Sequence, residues 1–369
     1  VVQAVSVNLA ILGTRGVPAS YGGFETLAEE LGRRLVERGH RVTVYGRPGF
    51  VDRALHEHRG MRVKVLPAIP GKHFETLSHT LVSALHAAGE SYDAALLCNA
   101  ANAPFIGILH LAGTPVALNV DGLERKRRKW GRLASAYYRL CETLAAVLPA
   151  AMVTDAEVIQ RYYRRCYRAP STMIAYGGDL EPPQGRECLD GLGLSPGRYA
   201  LYVSRFEPEN NPDRVVAAWA RVPGNHRLVM LGSSRYAPEL GRRVHELADD
   251  RVVLPGAVYG DGYRQLLFHC RLYIHATEVG GTHPALVEAM GAGRPVLYYD
   301  TPENREVVRD AGRPFRFSGA RALEHELQGL LADDGRRAEL GATARRRVEE
   351  RYAWDSVTTA YEELLEGLC

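Results

Sequence analysis

Two patterns of apolar positions alternate along this chain: short, mainly apolar runs, and longer stretches with an apolar residue every three or four positions. Val5 to Leu12 is a run of the first kind and ends at Gly13. Phe24 to Arg38 is of the second kind, with Phe24, Leu27, Ala28, Leu31 and Leu35 on one helical face. The pair predicts strand, glycine loop, helix. Arg41 to Tyr45, Arg62 to Leu66, Ala94 to Cys98, Val116 to Val120, Ala151 to Thr154 and Thr172 to Ala175 predict further strands, with helices over Thr76 to Ala88 and Arg132 to Leu148. Such alternation predicts a parallel sheet covered on both faces.

Glu181 to Arg198 has linker composition, with Pro182, Pro183 and Pro196 among four glycines. Beyond it the alternation restarts. Tyr199 to Val203, Arg227 to Leu231, Val252 to Leu254, Leu272 to His275 and Pro295 to Leu297 predict strands, and helices are expected at about 212–222, 236–249, 261–269, 284–292 and 303–310. The expectation is an α/β chain of two Rossmann-like, doubly wound domains, over 1–178 and 179–350. A helical tail at 351–369, broken near Tyr352 to Trp354, is expected to cross back onto the first domain. Two such sheets facing one another would set the strand C-termini of both around a central cleft, where ligands of these folds bind.

Composition narrows the partners. The 369 residues hold 46 Lys and Arg against 43 Asp and Glu, a net charge of +3 that is too slight to imply nucleic acid. No run approaches the roughly 18 apolar residues that cross a bilayer. The N-terminal apolar stretch enters the glycine loop without a small-residue cleavage site, so the chain is expected to be neither spanning nor secreted. Six cysteines without a C-x-x-C pair, and no histidine cluster at ligand spacing, suggest a reducing, cytoplasmic setting and no metal site.

Candidate chemistry lies in the loops after predicted strands. Gly13, Thr14, Arg15 and Gly16, followed by Tyr21, Gly22, Gly23 and Glu25, open the first long helix. Glycines and a helix N-terminus there suit an anion, or serve only as a strand-to-helix turn. Asn119 to Glu124 follows another strand and sets Asp121 and Glu124 at a rim where they can position a hydroxyl, or cap a turn. Arg125 to Arg132 holds six basic residues around Trp130. That run suits a solvated basic loop or a peripheral contact with anionic lipid headgroups at the inner face of a membrane.

Arg205, just past Val203, is placed to bind a diphosphate or to pair with Glu207 or Glu209; Asn210 or Asn211 would cap the next helix. Glu278 to Met290 passes through Gly280, Gly281, Thr282 and His283 into a helix started by Pro284, which points backbone amides and the helix dipole at one place suited to a phosphate. His283 is either a donor there or a packing residue. Glu288, one turn inside, suits ribose hydroxyls.

The ordered set of motifs resembles the retaining GT-B glycosyltransferases of family four, and within them a bacterial subgroup that includes rhamnosyltransferases of polysaccharide biosynthesis. It comprises Gly13 to Gly16, Tyr21 to Glu25, Asn119 to Glu124 with Lys126 and Trp130, Thr154-Asp155, Tyr176 to Asp179, Arg205 with Pro208 to Asn211, Gly280 to Glu288, Asn304 to Glu306 and Tyr352 to Asp355. The resemblance implies a nucleoside-diphosphate sugar donor, with thymidine-diphosphate rhamnose favoured, a saccharide or lipid-linked acceptor, and no metal or cofactor. It implies catalytic roles for Arg205, Asp121 and His283. Donor contacts are implied for Gly13, Arg15, Gly16, Gly232, Ser233, Val258, Tyr259, Asn210, Gly280, Gly281, Thr282, Leu286 and Glu288, and acceptor contacts for Tyr21, Gly22, Gly23, Glu25, Glu124 and Lys126.

Two positions depart from the wider family. Asn210 stands where most members have a lysine, and Gly280 where they have the first of two paired glutamates, Glu278 lying two residues earlier. A nonhydrolysing sugar-nucleotide epimerase shares the architecture, and a noncatalytic nucleotide-sugar sensor would account for the two departures.

Overall fold

A computed structural model describes residues 6–20, 22–71, 74–123, 131–234, 237–319 and 322–369. The chain divides into two compact units. Residues up to Tyr176, joined by Trp354–Cys369, make the first; Gly177–Ala353 makes up the second.

The first unit is built on strands β1 (Asn8–Leu12), β2 (Arg41–Gly46), β3 (Glu57–His58), β4 (Met61–Val65), β5 (Ala94–Cys98), β6 (Val116–Asn119), β7 (Ala151–Thr154) and β8 (Thr172–Met173). They lie in the order β3-β4-β2-β1-β5-β6-β7-β8, parallel throughout except for the β3–β4 hairpin. That hairpin has no strong sequence pattern because β3 is two exposed or half-exposed residues on the sheet edge. The central strands are buried on both faces: every residue of β5 is buried, and Ala10, Leu12, Ala95, Leu97 and Leu118 join one core. This is why they read as continuous apolar runs rather than alternating ones.

The helix Gly23–Glu37 packs beside the C-terminal helix Trp354–Glu366. Arg34 lies over the Trp354 ring at 5.3 Å. Arg38 reaches Asp355 and Glu362, and His40 Nε2 donates to Glu362 at 2.8 Å. Tyr361 accepts from Asn119 Nδ2 at 2.7 Å, tying the tail to the end of β6. Helix Asp334–Arg351 ends just before Tyr352, so the break read near Tyr352 to Trp354 separates two helices.

The second unit contains β9 (Tyr199–Val203), β10 (Arg227–Leu231), β11 (Val252–Gly256), β12 (Leu272–His275), β13 (Val296–Tyr299) and β14 (Gly312–Phe315), all parallel, in the order β11-β10-β9-β12-β13-β14. β14 was not expected: Arg313 and Pro314 interrupt its apolar pattern, and its pairing with β13 at the sheet edge is what makes it a strand. Tyr202, Trp219, Met230, Ile274 and Phe315 are buried in this unit's core.

Candidate functional site

Each sheet reverses its strand order once. In the first unit the chain runs outward one way from β1 to β2 and the other way from β5 to β6; in the second it does so from β9 and from β12. At such a switch point the two adjacent loops leave in opposite directions and open a crevice at the strand C-termini, where ligands of open α/β sheets bind. The motif loops singled out in the sequence follow these strands.

In the second unit the loops after β9 and β12 are joined to one another. Glu278 N donates to the Glu209 carbonyl at 2.8 Å, and Asn211 Nδ2 donates to the Ala276 carbonyl at 2.9 Å and to Glu278 Oε1 at 3.1 Å. Asn211 stands at a left-handed φ of 54°, a conformation asparagine tolerates better than most residues. It occupies the N-cap position of helix Pro212–Trp219, yet its side chain does not cap that helix, as the sequence suggested; it crosses to the other loop.

Asn210 is also turned inward. Its side-chain amide donates to the Arg205 carbonyl at 2.7 Å and its own carbonyl accepts from the Tyr202 hydroxyl at 2.8 Å. Asn210 thus shapes the turn that carries Arg205. The Arg205 guanidinium is partly exposed and lies 3.6 Å from the buried Glu207 carboxylate.

Gly280 is crowded rather than strained. A Cβ there would lie 2.2 Å from Cε1 of His283, so the imidazole fills the space that a glutamate at 280 would need. His283 lies in turn against His275, the two rings tilted to one another with centroids 4.7 Å apart. His275 is buried at the end of β12, and burial, reinforced by the neighbouring His283, drives its pKa well below the ordinary histidine range against a hydrogen bond with Asn304. Gly281 and Thr282 are buried, and helix Pro284–Gly291 begins directly after His283 with proline at its first position.

Inside that helix Leu286 is fully buried and Glu288 nearly so. Glu288 Oε2 accepts from the Tyr263 hydroxyl at 2.6 Å. Burial and this carboxylate push the Tyr263 phenol far above its usual range, so it stays a donor. Gly232 closes the end of β10: a Cβ there would meet the Ser204 carbonyl at 2.0 Å, and the Ser233 carbonyl accepts from Phe206 N at 2.9 Å. Ser233 and Tyr259 are exposed and Val258 is half-buried. Tyr263, His275 and the Asn211 cross-link carry no motif. Sequence reading missed them because each acts through a partner remote in the chain.

In the first unit, Gly13 and Gly16 both have positive φ, 85° and 103°. A Cβ on Gly13 would lie 2.4 Å from the Cys98 carbonyl, at the β1/β5 switch point, and one on Gly16 would lie 2.6 Å from Gly46 Cα. Arg15 N donates to Glu25 Oε1 at 2.7 Å, and Gly16 N donates to Thr14 Oγ1 at 3.0 Å. Glu25 is buried and holds this loop in shape, while Gly22 and Gly23 start the helix beside it. Asp121 follows β6 at a φ of 56°, its N–H donating to Asn119 Oδ1 at 3.0 Å. Tyr176 lies within reach of Asp121 and Asp155, and burial together with these carboxylates holds its phenol well above the ordinary range. Tyr21, Glu124, Lys126 and all but the last two residues of the run Arg125 to Arg132 fall outside the described residues.

Residues 22–177 match the family described as "Glycosyl transferase 4-like domain", and residues 193–347 match the family "Glycosyl transferases group 1". The chain belongs to the group 1 glycosyltransferases.

Among curated relatives of this group 1 member, the O-antigen chain mannosyltransferase B of Escherichia coli is 25% identical over 224 residues, covering 58% of each chain. The D-inositol 3-phosphate glycosyltransferase of Xylanimonas cellulosilytica is 32% identical over 171 residues, covering 43% of this chain and 40% of that one. The chain thus spans about half the length of the curated relatives it matches. Among solved structures, sucrose-phosphate synthase from Thermosynechococcus elongatus superposes with a TM-score of 0.82 at 20% identity, over 98% of this chain and 99% of that one. HepE from Anabaena, solved with UDP and glucose, superposes with a TM-score of 0.77 at 18% identity, over 98% and 100%. The fold of the group 1 member is therefore the GT-B fold.

Proposed function

We propose that the protein moves a sugar, with retention of anomeric configuration, from a nucleoside-diphosphate sugar to a saccharide or lipid-linked acceptor. The observation that carries this reading is the joining of the β9 and β12 loops at the switch point of the second unit, which gathers Arg205, Glu278 and the turn from Gly280 to His283 ahead of a helix N-terminus. A guanidinium, backbone amides and a helix dipole are the groups that stabilise a departing diphosphate. The UDP held by HepE supports a nucleoside diphosphate as the ligand.

In this reading Glu288 binds the ribose, and Gly232, Ser233, Val258 and Tyr259 receive the base. Leaving-group stabilisation falls to Arg205, Gly281, Thr282 and His283, with Asn210 and Gly280 shaping their turns. The bond between the anomeric carbon and the donor phosphate oxygen breaks as the bond to the acceptor oxygen forms on the same face; the acceptor proton passes to the departing phosphate. Charge neutralisation by Arg205 and the amides makes a metal unnecessary. The first unit's Gly13, Arg15, Gly16 and Asp121 serve the transferred sugar, and Gly22, Gly23 and Glu25 the acceptor side. Thymidine-diphosphate rhamnose is the donor this reading favours.

Thermal-shift measurements with uridine- and thymidine-diphosphate sugars, followed by product analysis with and without saccharide acceptors, test it. Stabilisation by one nucleotide class with acceptor-dependent glycoside formation is expected. Conversion of the donor sugar without any acceptor would instead establish an epimerase, and binding without turnover a sensor.

A further inference from the structure

One buried side chain joins the C-terminal helix Trp354–Glu366 to the residues that follow β6. β5, β6 and β7 end side by side, with Cys98 in register with Asn119 and Asn119 with Val153. Asn119 is the last residue of β6, and its backbone carbonyl accepts from Asn99 N at 2.8 Å, so the sheet holds its Cα in place. Its side chain makes two further bonds. Oδ1 accepts from Asp121 N at 3.0 Å, and Nδ2 donates to the Tyr361 hydroxyl at 2.7 Å, a partner 242 positions further along the chain.

Chemistry fixes the polarity of these bonds. A backbone N–H only donates, so the half of the Asn119 amide that faces Asp121 is its carbonyl; the NH2 half then needs an acceptor, and the Tyr361 hydroxyl supplies one. Asp121 stands at a left-handed φ of 56°, which an aspartate tolerates without preferring it, and the bond from Asn119 closes the turn that keeps it there. Without the phenol oxygen, a buried NH2 group is stranded and the amide is free to turn over, which sets two donors against each other at Asp121. Burial first, then Cys98 and the Asp155 and Asp121 carboxylates, hold the Tyr361 phenol far above its usual range, so it stays a neutral hydroxyl. The helix that carries it is pinned beside this point. Glu362, the next residue, takes Arg38 and, at 2.8 Å, His40 Nε2.

We propose that Tyr361 is a positioning residue for Asp121: acting through Asn119, it fixes the backbone turn that aims the Asp121 carboxylate at the transferred sugar. The inference rests on the reading that Asp121 serves that sugar. It goes beyond that reading by making the C-terminal helix, and not the loop after β6 alone, set where the carboxylate stands. Asn119 and Tyr361 are both buried, so neither meets a ligand itself and their effect passes through Asp121, which is only partly buried.

Tyr361→Phe, Asn119→Ala and Asp121→Ala, alone and in pairs, are made in the full chain. Hydrogen exchange at the residue 121 amide is followed by NMR without substrate, and release of thymidine diphosphate from thymidine-diphosphate rhamnose is assayed with saccharide acceptors. Tyr361→Phe and Asn119→Ala should each speed exchange at Asp121 roughly tenfold, the scale of one lost hydrogen bond, and lower kcat roughly tenfold with donor KM unchanged. Tyr361→Phe should cost nothing more when added to Asn119→Ala or to Asp121→Ala. A merely structural tyrosine would instead lower the rate by the same factor in every background. Wild-type exchange at Asp121 in Tyr361→Phe would overturn the proposal, and so would fast exchange with wild-type kcat. Wild-type kcat in Asp121→Ala would refute the reading of Asp121 itself, and the proposal with it. A wild type that releases no diphosphate would refute the donor reading, and exchange at Asp121 then decides the positioning alone.

Discussion

The hydroxyl of Tyr263 donates to Glu288 Oε2 across 2.6 Å, joining helix Gly260–His269 to helix Pro284–Gly291. A nearly buried carboxylate is costly unless it is hydrogen-bonded, and here a tyrosine meets that need and aims the carboxylate.

Tyr263→Phe therefore leaves Glu288 less well fixed. The expected result is a rise in donor KM of roughly tenfold with a smaller change in kcat, the scale of one hydrogen bond to a charged group. Glu288→Ala should weaken donor binding further. Steady-state kinetics and calorimetric titration with the nucleoside diphosphate measure both; unchanged affinity in Glu288→Ala would remove Glu288 from the ribose.

Arg205→Ala should lower kcat by roughly a hundredfold, the scale of losing one group that stabilises developing charge, and weaken nucleoside-diphosphate binding less. The buried Glu207 would then lose a countercharge 3.6 Å away. Arg205→Lys, which keeps the charge but not the fork, should recover only part of the rate. A variant with wild-type turnover would show that the guanidinium does not act on the leaving group.

At Gly280 the added methyl of alanine would sit 2.2 Å from His283 Cε1 and push the ring off His275. We expect Gly280→Ala to lower kcat roughly tenfold with little change in melting temperature, because an outward swing of a partly exposed side chain relieves the clash. The double variant with His283→Ala should be no slower than His283→Ala alone. Additive losses would show that Gly280 acts on something other than the imidazole.

His79, buried in the first unit, donates from Nε2 to the Gly46 carbonyl at 2.8 Å. Burial, helped by nearby Arg47, lowers its pKa to about 3. A free histidine titrates near 6.5, so below that pH the unfolded chain takes up a proton that the folded chain refuses. Stability tied to His79 is intact at pH 7, declines as pH falls below about 6.5, and continues to decline until pH nears 3. Urea unfolding of wild type and His79→Gln between pH 7 and 5 should show a flatter pH dependence in the variant; parallel curves would contradict the assignment.

The two-unit α/β architecture was legible because parallel strands buried on both faces leave apolar runs that local pattern exposes, as β5 and β9 do. Edge strands were not, since β3 and β14 become strands only through their neighbours. The loop motifs were legible too. Arg205, Gly280 to His283 and Glu288 follow strand ends and open helices in the primary sequence, and the structure places them so.

By itself the sequence determined which residue types stand at the ends of which strands, since strand, loop and helix are set by short-range periodicity and by glycine and proline. Tertiary structure alone decided what those residues do to one another. It turned Asn210 and Asn211 into loop ties, gave Glu288 its tyrosine, put the His283 ring where a side chain at 280 would go, and buried Glu25 beneath the Arg15 amide. Each of these depends on a hydrogen bond or steric contact set by how loops and helices pack, which spacing along the chain does not encode.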